Sequence, residues 1–162
     1  MASQIRVTRT GTRFAEIVLA RPRVMREIGE GLRARIVNRT RAGFDAAGRP
    51  FRPLSPGYAA QKQKAIGHSR ADLTVSGRML NDLRVYPAEK RVTLAFSSAG
   101  GTGVGRTLIQ RSRAVGAADK AFWHQVSGAG KRRVLRQFFD LNAADEAFII
   151  GRLDRAVADE IR

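Results

Sequence analysis

Residues 43–57, GFDAAGRPFRPLSPG, carry three of the chain's five prolines and three of its glycines. Proline locks φ and has no amide to donate, so neither a helix nor a central strand runs through such a segment. The chain must change direction here, and the segment is an ordered loop if Phe44, Phe51 and Leu54 dock on a core. Before it, Val24, Ile28, Leu32 and Ile36 recur every four residues, with Arg21, Arg23, Arg26, Arg33, Arg35 and Arg39 mostly elsewhere around the wheel. That spacing predicts an amphipathic helix of about 20 residues, near 30 Å long. Pro22 suits its first turn and Gly43 its stop.

After the loop, residues 58–66 are expected to resume as a short helix ending at Gly67, and residues 73–83 to hold another helical turn after Ser76-Gly77. Residues 85–86 and 91–96 predict an antiparallel hairpin around Pro87-Ala-Glu-Lys90. Residues 97–118 are rich in glycine (Gly100, Gly101, Gly103, Gly105, Gly116) and basic, and predict an extended mobile loop with room for a small hairpin at 107–110. A short helix bearing Trp123 should follow over 119–126, then a second basic turn over 128–133 and a strand over 134–139. The last element is the plainest: Asn142 as N-cap, Asp145 and Glu146 in the first turn, and Ile149, Ile150, Leu153, Val157 and Ile161 along one face. Residues 1–20 contain two short β-leaning runs and are expected to form an arm or hairpin. The whole predicts an α+β chain, in which a long N-terminal helix and a C-terminal helix pack on a small antiparallel sheet, with long basic loops, as one domain over 21–162.

Charge and composition narrow the function. The 162 residues include 30 Lys and Arg against 14 Asp and Glu, a net charge of +16. It is unevenly spread: residues 139–162 hold six acids and three bases, a local charge of −3 that leaves +19 on the rest. Such an excess suits phosphate, an acidic surface or an acidic protein partner, and the polarity along the chain suits association through opposite ends. There is no cysteine, which excludes disulfide frameworks, thiolate metal sites and cysteine nucleophiles. No apolar run approaches the ~18 residues of a membrane span, and no signal-peptide hydrophobic region follows the first residues. A soluble protein made in a cytoplasm, without membrane contact, is expected.

No catalytic constellation emerges. Gly101-Thr-Gly103-Val-Gly105 has the wrong spacing for a dinucleotide fingerprint, and Gly128-Ala-Gly130-Lys131 lacks the earlier glycine of a phosphate loop. His68 and His124 lie in different segments with no carboxylate at a metal-ligand spacing, and His124 is expected to hydrogen-bond backbone in a packed corner. Asp154 and Asp159 are five apart on the last helix, off any shared face, and Asp45 before Gly48 is a turn signature. Arg106, Arg111, Arg113, Lys131, Arg132 and Arg133 sit on glycine-flanked segments that can reach outward to an acidic partner or to phosphate. The aromatic interleaving of a single-strand binder is missing around them, because Phe122, Trp123, Phe138 and Phe139 fall in segments that look like core.

Four blocks in order then carry a resemblance. Gly43-Phe-Asp45-Ala-Ala-Gly48-Arg-Pro-Phe51-Arg-Pro53-Leu54-Ser55, with Tyr58, Lys62 and Lys64 after it, is similar to a Gly-x-Asp-x-x-Gly-x-aromatic-x-Pro-Leu-Ser segment. Leu73-Thr-Val-Ser76-Gly77-Arg-Met-Leu80 is similar to Leu-x-x-Thr-Gly-x-Leu, with Ser76 for Thr, and Ala121-Phe-Trp123-His124-Gln125-Val-Ser-Gly128 to Tyr-Ala-x-x-His-Gln-x-Gly. Arg136-Gln-Phe138-Phe139-Asp-Leu141 stands where an Arg-Pro-Phe-Leu-Gly-Leu run precedes a final helix. Together they resemble the phage virion morphogenesis, or tail completion, family over about residues 24–161. The 97–118 segment, Gln137 and the first 20 residues depart from its pattern.

The resemblance implies a non-enzymatic structural protein of the virion, without cofactor or metal. Such a protein acts at the head–tail junction or neck, is assembled in the host cytoplasm, and completes the tail or connects it to the DNA-filled head. It implies a ring, expected to be a hexamer, in contact with neck, connector, tail terminator or tube proteins and with packaged duplex DNA in the channel. Asp45, Gly48, Phe51, Pro53, Leu54, Tyr58, Gly77, Leu80, Trp123, His124, Gln125 and Gly128 are then structural motif residues, and the six basic residues above are candidate partner or DNA contacts. Duplex DNA carries one charge per ~1.7 Å, so a ring of arginines lining the channel would grip it and oppose ejection. Acidic neighbours or brief contact with the DNA end fit them better. The alternative reading is a non-specific nucleic-acid-binding protein.

Overall fold

The computed structural model describes residues 22–97, 107–130 and 132–161. The arm expected over 1–20 and residues 98–106 of the long segment, Arg106 included, lie outside them. The described elements are α1 (Pro22–Arg41), α2 (Pro56–Ile66), α3 (Arg78–Asn81), β1 (Leu83–Pro87), β2 (Val92–Phe96), α4 (Leu108–Ala114), α5 (Ala117–Phe122), a π-helical turn (Trp123–Ser127) and α6 (Ala143–Ile161). The sheet is a two-stranded antiparallel hairpin, and the fold class is α+β. The chain forms two compact units.

The first unit holds α1 as far as Arg35, hairpin residues 84–95, and the C-terminal segment with α6. The α1 stripe it buries is Met25, Ile28 and Leu32, with Val24 only half-buried. A strict four-residue repeat drifts around a helix of 3.6 residues per turn, and the step of three from Met25 to Ile28 restores the face. Two glycines let other elements close on it. A Cβ on Gly29 would collide with Val85 and Val92 of the hairpin, and one on Gly31 with the Phe148 ring of α6. Val92 and Leu94 from β2 and Ile149 and Leu153 from α6 complete this core.

Asn142 caps α6 as expected. Its Oδ1 accepts the Asp145 N–H at 3.0 Å, while Asp145 Oδ2 accepts the Asn142 N–H at 3.3 Å. Asp145 is also buried, and its Oδ1 accepts a 2.7 Å hydrogen bond from Arg35 Nε. The Arg35 guanidinium lies 5.5 Å from the Phe148 ring centre, with that of Arg152 at 5.6 Å.

The second unit spans Ile36–Leu83 and Phe96–Asp140. Here α2 packs with α4, and α3 with α5. Its core holds Ile36, Phe51, Met79, Leu80, Leu83, Ala117, Ala121 and Phe138. Gly67 ends α2 as expected, at φ 80° with its N–H on Gln63 O at 2.9 Å.

Three expectations are corrected in this unit. Residues 108–114 are neither loop nor hairpin but α4, started by a capping box: Thr107 Oγ1 accepts the Gln110 N–H at 3.1 Å, and the Thr107 N–H donates to Gln110 Oε1 at 3.1 Å. Lys120 Nζ donates to Ser112 O, and Ser112 Oγ lies 3.1 Å from Ser76 Oγ, so α4 is tied on two sides. Residues 134–139 are not a strand. Only Val134 pairs, in an isolated bridge to Ala129, and the rest is an irregular strap whose Arg136 and Phe139 amides go to other partners. Finally, Phe122 and Trp123 are exposed rather than core, although Phe138 is buried.

Candidate functional site

The strap at 136–139 organises the second unit, and two of the other motif blocks meet on it. Arg136 is buried. Its N–H donates to His124 O at 2.8 Å, and its guanidinium reaches Arg52 O at 3.1 Å. Gln137 O accepts the Ala46 N–H at 2.8 Å. Gln125 closes both sides of Phe139, its Oε1 accepting the Phe139 N–H at 3.1 Å and its Nε2 donating to Phe139 O at 3.3 Å. Phe138 and Phe139 in turn pack against Phe96, with ring centres 6.1 and 5.5 Å away. The strap thereby receives the proline loop through Arg52 and Ala46, and the aromatic turn through His124 and Gln125.

The proline loop is shaped from within by Asp45. Its Oδ1 accepts the Arg49 N–H at 2.8 Å and its Oδ2 the Arg49 Nε at 3.0 Å, four residues on, while the Gly48 N–H bonds Asp45 O at 3.0 Å. Gly48 sits at φ 79°, in the left-handed region that glycine enters without strain. The Phe51 N–H returns to Gly43 O at 2.7 Å and its ring is buried. Pro53 is exposed and Leu54 half-buried, and with Phe44, Phe51, Ala59 and Arg70 they line an open cleft of about 440 Å3.

Behind the loop lies a buried ion pair. Lys62 Nζ donates to Asp72 Oδ1 and, at 2.6 Å, to Arg70 O, and the Thr74 N–H adds a 3.0 Å bond to the carboxylate. Burial opposes ionisation of Asp72, but the bonds from Lys62 and Thr74 outweigh it and hold the carboxyl below its ordinary range. Tyr58 is shifted upward, first by burial, with nearby Arg136 opposing and Asp72 adding. Burial also lowers Arg136, with Tyr58 opposing and Arg52 adding to the shift. Gly77 precedes α3 at φ 69°, and Leu80 is fully buried beside it in sequence.

At the aromatic turn His124 departs from expectation. Its backbone carbonyl is bonded, but its buried Nδ1 has no hydrogen-bond partner among the described residues. Burial, with Arg136 and Lys120 adding, lowers its pKa to about 4, so the ring is neutral near pH 7. Gly128 is required by geometry: at φ 78° its Cα lies so close to the Arg133 carbonyl that a Cβ would overlap it. Arg133 itself has φ 44°, a strained conformation for a residue with a side chain.

The basic candidates do not form one described cluster. Arg132 and Arg133 are exposed on the turn after Gly130, whereas Arg111 and Arg113 are carried on α4. Arg106 and Lys131 lie outside the described residues. Among the described residues no three His, Asp or Glu come together as a metal site, and no helix is long and apolar enough to cross a membrane.

Sequence reasoning missed Asp72 and the central role of Arg136, and treated Lys62 only as a motif lysine. The one available signal was that Lys62 falls four residues before Ile66, an apolar residue that is half-buried on α2. What the arrangement provides is a braced, irregular surface, with the motif residues acting as braces. No curated protein and no solved structure matches the chain. The model of the phage virion morphogenesis family does match it, over residues 4–158, and with nearly its whole length covered the chain belongs to that family.

Proposed function

We propose that this chain is a structural protein of the phage head–tail junction, where it completes the tail or connects it to the DNA-filled head as a ring. A role in phage virion morphogenesis follows from family membership over nearly the whole chain, which is the observation that carries the reading. Building a particle also suits what the motif residues do. Asp45, Gln125 and Arg136 direct polar groups to nearby backbone, and Gly128 makes room for the Arg133 carbonyl, holding irregular segments in shape instead of presenting reactive groups. The charge split, −3 over residues 139–162 and +19 over the rest, supplies unlike surfaces for heterologous contacts, which close into a ring when the rotation allows.

The test is a phage from which this reading frame is removed. Filled heads and separate tails should accumulate, and adding the purified protein should restore joined, infectious particles. Normal joined particles without the protein would overturn the assignment. Steeply salt-dependent binding of duplex DNA by the isolated protein, with no association with heads or tails, would favour the nucleic-acid-binding alternative.

A further inference from the structure

Phe122, Trp123, Val126 and Leu135 are four large apolar side chains left 44–60 % exposed within one short stretch. They lie on two consecutive turns of the chain. Phe122, Trp123 and Val126 fall at helical spacing, and Leu135 follows Val134, which pairs with Ala129 across the turn. Arg132 and Arg133 are exposed on that same turn. The backbone beneath is stiff: His124 O is bonded by the Arg136 N–H, Gln125 is bonded twice to Phe139, and Gly128 is in close contact with Arg133. Aromatic residues flanked by arginine on a preorganised backbone are the composition of an interface core. Duplex DNA is a poor occupant, because phosphates would meet the arginines while the apolar side chains beside them faced a charged backbone.

The complement is on the same chain. On α6 the exposed Ala143, Glu146, Ala147, Ile150, Asp154 and Ala158 lie in one stripe, with Arg155 and Asp159 exposed beside it. Among the described side chains of that helix Ile150 is the one large apolar group exposed, 52 % open, with an acid four residues to either side and alanines that let a partner approach closely. An apolar centre with acids beside it matches an aromatic centre with arginines beside it. We propose that copies of this chain join through the aromatic turn of one copy and the outer face of α6 of the next. The two surfaces differ, so the contact is heterologous and repeats around a ring. The inference rests on the ring reading above and names its contact.

The absence of cysteine makes a direct test possible. Trp123→Cys and Ile150→Cys are made in separate preparations and exposed to a mild thiol oxidant, alone and mixed, at concentrations where the wild type self-associates and also on heads and tails. Covalent dimers should form far more in the mixture than in either variant alone, and the double variant should give a ladder ending at the ring. Val126→Cys serves in place of Trp123→Cys if the latter misfolds. Arg132→Glu with Arg133→Glu should weaken self-association roughly tenfold or more, and Glu146→Lys with Asp154→Lys in the neighbouring copy should recover it. Wild-type rings with no cross-link from either pair overturn this contact and leave the junction reading standing. So does a result in which the arginine swaps abolish duplex DNA binding and leave assembly unchanged, while the mixture cross-links no more than either variant alone. A chain that stays monomeric at every concentration, on heads and on tails, overturns both the contact and the ring.

Discussion

The two units solve the same problem by different physics. In the first, α1, the hairpin and α6 bury apolar faces of regular elements, and polar groups enter mainly at one helix start through Asn142, Asp145 and Arg35. In the second, short helices are separated by loops, and a strap without regular structure is held by Arg136, Gln125 and Phe138. Hydrophobic burial is non-directional and tolerates approximate partners, whereas each buried polar group needs a particular one. The second unit should therefore respond more sharply to single changes in polar partners, and it is the unit where the motif residues concentrate.

The largest expected effect tests the strap. Phe138→Ala should destabilise by about 3–5 kcal/mol, since the ring is fully buried and packs with Phe96 and Phe139. Urea unfolding should show it at least as damaging as Leu32→Ala in the first unit; a clearly smaller loss would break the comparison.

Next comes the buried pair. Lys62→Met leaves Asp72 buried without its cation, at a cost of about 3 kcal/mol or more. Adding Asp72→Asn, which keeps an acceptor for the Thr74 N–H, should recover most of the loss. A double variant as unstable as the single one would mean that Lys62 acts through Arg70 O instead.

The pH dependence sharpens the contrast. His124 has its pKa depressed from 6.5 to about 4, so folding favours the neutral ring. The stability this carries is fully present above pH 6.5 and is lost as pH falls toward about 4, a change of about 3 kcal/mol. Thermal unfolding across that window should show the slope in the wild type and a flatter one in His124→Gln.

The smallest effect belongs to the first unit. Asn142→Ala removes the side-chain acceptor for the Asp145 N–H and should cost about 1 kcal/mol, seen as a modest fall in the urea midpoint.

Regular elements were legible because their signals are local. The spacing from Ile28 to Ile36, the Asn142 cap and Gly67 each describe a neighbourhood of a few residues, and the elements formed there. The motif residues could be picked out, but their work could not. Nothing within a few residues of Gln125 tells that it clasps Phe139, fourteen positions on, or that Arg136 reaches Arg52, 84 positions back. The α4 cap was readable in Thr107 and Gln110 yet was masked by the surrounding glycines, which made the whole segment read as loop.

By itself, then, the sequence determined the α+β class, both long helices, the hairpin, the turn at Gly48 and the family resemblance, because periodicity, capping and positive-φ glycines act over a few residues. Only the tertiary structure decided that Lys62 is buried against Asp72, that 136–139 is a strap and not a strand, and that Phe122 and Trp123 face outward. Those outcomes depend on which distant partner fills each donor, acceptor and apolar face, and chain-distant pairing is settled only when the whole unit packs.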